Sequence, residues 1–136
     1  MKALTLYFDT LMKINYALIS RSLIALLFVV AGVNKIMGFE GTVGYVGSLG
    51  VPLPMIATIL IIIIEIPIAL MFAWGYKVKQ TGYALIAFTA LATLLAHPNV
   101  FGTDMVTVLK NIAIIGGIMA SIACVCGDCT THRKKD

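Results

Sequence analysis

The chain has 136 residues, of which 60% are hydrophobic and 12% charged, with a formal net charge of +4. Its mean hydropathy of +1.01 lies far outside the range of a soluble domain, where about 25% of residues are charged, so a separate soluble enzyme domain is excluded. The basic residues are scattered at helix ends and in the short run Arg133-Lys134-Lys135, without interleaved aromatics, which argues against nucleic acid as a partner.

Four apolar runs follow in chain order, at about 16–36, 53–74, 80–96 and 106–126. About 20 residues at 1.5 Å rise cross a 30 Å hydrocarbon core. Unpaired backbone groups are costly in lipid, and the runs lack the alternation of barrel strands, so each run is a helix. The expectation is an all-α membrane protein: one domain over 1–136, a bundle of four transmembrane helices with the lipid bilayer as its partner. The first run is expected to be a span and not a cleaved signal peptide: it is too long, it is followed by a lysine, and it has no convincing small-x-small cleavage site.

The connections carry their own signals. Gly38, Gly41, Gly44, Gly47, Gly50 and Pro52 punctuate the first one, which reads as a non-helical loop. Val51-Pro52-Leu53-Pro54 starts the second helix, where an early proline is tolerated. Gly75-Tyr76-Lys77-Val78-Lys79 is a tight turn, Pro98 ends the third helix at His97, and Thr103 or Asp104 is placed to cap the fourth. Lys2, Lys13, Arg21, Lys77, Lys79, Arg133, Lys134 and Lys135 fall on one side of this topology, and Lys35 and Lys110 on the other. The excess predicts that both termini are cytoplasmic.

The second helix contains the stretch Ile59 to Trp74, ILIIIIEIPIALMFAW, apolar but for Glu65. A charge at mid-bilayer costs on the order of 2.5–3.5 kcal/mol and faces the bundle interior with a partner. Glu65 lies about 18 Å along its helix, and Arg21 enters the first helix from the opposite end. The depth gap comes to roughly 6 Å, within reach of an Arg side chain, so an Arg21–Glu65 pair is expected. Pro67 removes an amide and frees the carbonyl of Ile63, making a polar notch beside the carboxylate. That notch is either an ion pair that fixes packing or part of a binding pocket.

A second polar group gathers near the other face: Lys35 at the end of the first helix, His97 at the end of the third, and Lys110-Asn111 inside the fourth. Lys35 reads as a snorkelling side chain, and Asn111 as a donor and acceptor between helices. Gly116 with Ala120 and Gly117 with Ser121 place small residues four apart, which lets the fourth helix approach a neighbour. The cytoplasmic tail, 124–136, holds Cys124, Cys126, Cys129 and His132. Cys126-x-x-Cys129-x-x-His132 has the ligand types of a metal clip and the spacing of a redox dithiol. A reducing compartment disfavours a permanent disulfide there, and an incidental thiol-rich tail is the alternative.

Arg21 to Lys35 (RSLIALLFVVAGVNK), Gly50-Val51-Pro52, Glu65, Gly75, His97 and Leu109 to Gly117 (LKNIAIIGG), in that order, resemble the DoxX family of small four-helix proteins of the bacterial inner membrane. The resemblance runs from about Ile19 to Met119 and leaves the cysteine tail outside. It implies a multi-pass subunit of a quinone- or thiol-linked membrane redox complex, with a redox enzyme partner or further copies of itself, and a quinone as cofactor. It carries Arg21, Lys35, Glu65, His97, Lys110 and Asn111 over as a polar interior site. The alternative is a non-catalytic scaffold that recruits an enzyme.

Overall fold

The computed structural model describes residues 2–97, 102 and 104–126, with side chains of the first helix described at 4, 5, 7 and from 16 onward. The described residues contain α1 (Lys2–Met37), α2 (Phe39–Ser48), α3 (Pro54–Ile63), a π-helical turn (Ile64–Ile68), α4 (Ala69–Trp74), α5 (Val78–Ala96) and α6 (Met105–Val125). No strand occurs among them. Four stretches are long and apolar enough to cross a membrane: Tyr16–Met37, Pro54–Trp74, Val78–Ala96 and Met105–Val125. These match the four apolar runs to within two residues at each end.

One connection differs from the sequence expectation. The glycine-rich segment after α1 is helical over Phe39–Ser48. Each interior glycine costs about 1 kcal/mol of helix propensity, and tertiary packing overrides that cost here. Val46 is buried, and a Cβ at Gly47 would sit 3.6 Å from the Pro54 ring, so α2 rests on the start of α3. Gly50, with φ +77°, then supplies the left-handed turn that returns the chain toward α3.

The second span is not a uniform α-helix. Pro67 has no amide to donate, and its ring would collide with the carbonyl of Ile63 in regular α geometry. The chain widens into a π turn over Ile64–Ile68. Such single turns recur at functional sites, and this one carries Glu65 into the interior, where it is 4% exposed.

The core occupies the half of the bundle away from α2. Ala25 and Phe28 of α1, Ala69 and Phe72 of α4, Leu85 of α5 and Ile118 of α6 are buried together. Small residues set the closest approaches. A Cβ at Gly82 of α5 would lie 2.8 Å from Ile122 Cδ1, and one at Gly117 would lie 3.3 Å from Ile24 Cδ1. Of the two small-residue pairs on α6, then, Gly117 with the buried Ser121 faces the bundle, whereas a Cβ at Gly116 would meet nothing within 4 Å. Gly82 makes the tighter contact, and it stands outside any small-x-x-x-small pair.

Candidate functional site

The partner of Glu65 is Lys35. Its Nζ donates to both carboxylate oxygens, at 2.8 Å to Oε1 and 2.9 Å to Oε2. This corrects the expected Arg21–Glu65 pair, and the reason is register. Gly32 of α1 packs directly against the π turn: a Cβ there would lie 2.6 Å from Ile66 Cγ1 and 3.1 Å from Glu65 Cβ. Gly32 and Glu65 are therefore level. Lys35 stands one helical turn beyond Gly32 on the same face, and its long side chain turns back to the carboxylate. Arg21 stands eleven residues the other way, about 16 Å along the axis. Its guanidinium lies against Gly75 instead, at 3.4 Å from Nη2 to a Cβ built there.

Lys35 and Glu65 line a partly open cavity of about 530 Å³ bordered by α1, α2, the second span, α5 and α6. Most of its wall is aliphatic or aromatic, with Leu27, Phe28, Ile61, Phe88 and Ile114 among the contributors. His97 and Asn111 also line it. Four of the six positions expected to form a polar interior site thus face one space. Arg21 and Lys110 do not. Lys110 is exposed, because it stands beside Asn111 on a helix and adjacent residues point about 100° apart.

Asn111 is fixed across the helix interface. Its Nδ2 donates to Thr93 Oγ1 at 2.8 Å, and the Thr93 hydroxyl donates to the carbonyl of Thr89 at 2.6 Å. Thr89, itself buried, donates to the carbonyl of Leu85 at 2.8 Å. His97 caps the end of α5, and its Nδ1 lies 3.6 Å from Asp104 Oδ1. Asp104 does stand at the N-cap of α6, but its side chain makes no capping hydrogen bond and is turned toward His97 instead. Thr103 lies outside the described residues.

Sequence reasoning missed the α2 wall of this cavity, which brings Thr42, Tyr45, Val46 and Leu49 to it. The signal was present: Thr42, Tyr45, Val46 and Leu49 follow helical spacing, and the intervening glycines obscured it. Thr93 as the partner of Asn111, and the turn of Asp104 toward His97 rather than toward its own helix end, were missed for another reason. Each is recognisable only through the residue it meets on another helix or across a loop.

Cys129 and His132 lie outside the described residues, as does any metal clip they would form. Cys124 is disulfide-bonded, which corrects the expectation of a fully reduced tail, and Cys126 is exposed and free. That expectation came from the compartment alone, whereas pairing depends on which sulfurs the chain brings together. Among the described residues no cluster of three or more His, Cys, Asp or Glu side chains could hold a metal ion.

Residues 16–98 match the DoxX family. The chain belongs to the DoxX family. It is 32% identical over 108 residues to inner membrane protein YphA of Escherichia coli (strain K12), covering 75% of this chain and 77% of YphA. It is 34% identical over 103 residues to inner membrane protein YqjF of the same organism, covering 75% of this chain and 78% of YqjF. No solved structure matches. With four spanning helices and these relatives, this DoxX-family chain is a multi-pass protein of the inner membrane. The family match includes Lys35, Glu65 and His97 and stops before Asn111.

Proposed function

We propose that this DoxX-family protein is a membrane subunit of a redox complex, and that its cavity takes the head group of a quinone delivered through the lipid. One observation carries the reading: an apolar cavity of about 530 Å³ contains a lysine ammonium, a carboxylate, a carboxamide and an imidazole in its wall. Ligand sites are of this size and character, mostly apolar with a few placed polar groups. A quinone would supply two-electron, two-proton chemistry at its ring oxygens.

The chain's own residues fit such a head group. Lys35 uses two donors on Glu65, and an ammonium has three, so one N–H is left for a carbonyl oxygen. Asn111 has a second amide hydrogen beyond the one given to Thr93. Glu65 holds Lys35 in place and is the group nearest to it that can exchange a proton. Phe28 and Phe88, with ring centroids 6.5 Å apart, add aromatic surface to the same cavity. Electrons would come from a partner protein, and both termini would face the cytoplasm.

The test is thermal unfolding of the purified protein in detergent with short-tailed benzoquinones and naphthoquinones. A ligand present at 100 times its Kd stabilises by about 2.7 kcal/mol. The shift should disappear in Ala92→Phe, which puts a bulky ring into the cavity wall and leaves both residues of the ion pair unchanged, and should weaken in Asn111→Ala and Glu65→Gln. No shift in the wild type with any quinone at saturation rejects the reading.

A second reading is a non-catalytic scaffold. The observation in its favour is that Lys35 occupies both oxygens of Glu65, so the pair is complete without a ligand. On that reading the protein recruits an enzyme or a second copy of itself. A Lys35→Met/Glu65→Met variant would then still assemble with whatever partner co-purifies with the wild type, and the quinone shift would be absent throughout.

A further inference from the structure

At the end of the bundle away from the cavity, cations collect around one turn. α4 ends at Trp74, Gly75 takes a φ of +84°, Lys77 takes a φ of +46°, and α5 begins at Val78. The guanidinium of Arg21, from α1, lies on this turn, with Nη2, Cζ and Nη1 at 3.4, 3.7 and 3.8 Å from a Cβ built on Gly75. No described group accepts a hydrogen bond from Arg21, and its Nε is buried without a partner. Lys77 and Lys79 extend from the same turn and are exposed.

The described acidic side chains are elsewhere. Glu40 is on α2, Glu65 is taken by Lys35, and Asp104 faces His97 at the opposite end. The positive charge at this turn therefore has no counter-charge from the described protein. The turn also carries the marks of a membrane interface. Trp74 is 84% and Tyr76 55% exposed, and Lys77 Nζ sits 5.5 Å from the Tyr76 ring centroid. Exposed Trp and Tyr gather at the level of lipid head groups, and basic side chains there attract anionic lipid.

We propose that Arg21, Lys77 and Lys79 form a phosphate-binding site, and that the phosphate is that of an anionic lipid. The terminal nitrogens of Arg21, fixed against Gly75, supply a planar fork suited to two phosphate oxygens. The two lysines add mobile point charges. An anionic lipid such as a phosphatidylglycerol brings a net negative charge to three cations. A phosphatidylcholine carries its own ammonium and gains less. The site is separate from the cavity and does not rest on the quinone reading.

The test compares the full chain in nanodiscs of phosphatidylcholine with and without phosphatidylglycerol, and in detergent with inorganic phosphate. Thermal unfolding and native mass spectrometry of retained lipid are the readouts. Wild type should retain phosphatidylglycerol in preference to phosphatidylcholine and unfold at higher temperature when it is present. Lys77→Gln/Lys79→Gln alters only exposed side chains and should weaken the preference about fivefold for each cation removed. Arg21→Gln should abolish the rest; Arg21→Lys, which keeps the charge and guards against misfolding, should lose the fork and several-fold of the preference.

Equal retention of the two lipids by wild type, with no stabilisation by phosphate, overturns the site. So does a preference that survives both Arg21 variants and is lost with the lysines alone, since that is diffuse surface attraction. Arg21-dependent stabilisation by inorganic phosphate without any lipid preference keeps the phosphate site and overturns the lipid as its source.

Discussion

Replacing Lys35 by methionine leaves Glu65 buried without a cation. Breaking one side of a buried pair costs about 3–5 kcal/mol, because the remaining charge is uncompensated. Glu65 is 5% exposed at its side chain and Lys35 is 29% exposed, so the two losses are unequal. Lys35→Met should cost about 3 kcal/mol, the low end of that range. Glu65→Met should cost about 1 kcal/mol, since Lys35 can snorkel outward once released. Lys35→Met/Glu65→Met removes both charges and should fall within about 1 kcal/mol of wild type, as apolar replacement of a buried pair is often neutral. The coupling energy is then about 3 kcal/mol, the upper end of what neighbouring residues give. The assay is equilibrium denaturation in mixed micelles, followed by circular dichroism and by the fluorescence of Trp74, the chain's single tryptophan. A parallel cycle on Arg21 and Glu65 should show coupling below about 0.5 kcal/mol, as for distant sites. Larger coupling in the Arg21 cycle than in the Lys35 cycle would refute the register set by Gly32.

Three further perturbations probe the same frame. Gly32→Val puts a Cβ within 2.6 Å of Ile66 Cγ1 and should cost about 1–3 kcal/mol by overpacking; wild-type stability in thermal unfolding would mean that the helices separate there freely. Gly75→Ala forces a Cβ into a φ of +84° and against Arg21, with an expected loss of about 1–2 kcal/mol; a melting temperature equal to wild type would show that the turn adopts another conformation. Asn111→Ala removes the bond to Thr93 and should cost about 0.6 kcal/mol, at most about 1.7. Thr93→Val on top of it should add little in the same denaturation assay, and full additivity of the two losses would mean that they act apart.

Composition and run length alone determined that the chain crosses the membrane four times. Burying backbone polar groups in lipid leaves few other solutions, and that argument needs no knowledge of neighbours. The sequence also determined that Glu65 faces inward beside a distorted turn, because a lone carboxylate and a proline in an oily helix allow little else. Which cation meets Glu65 was beyond it. Arg21 and Lys35 stand on the same helix, fourteen residues apart, and the choice depends on how far α1 slides along the second span. The contact of Gly32 with Ile66, which exists only in the folded bundle, fixes that slide. The helix α2 was hidden for a related reason: its glycines oppose it locally, and the burial of Val46 and the seat on Pro54 that favour it exist only in the folded bundle.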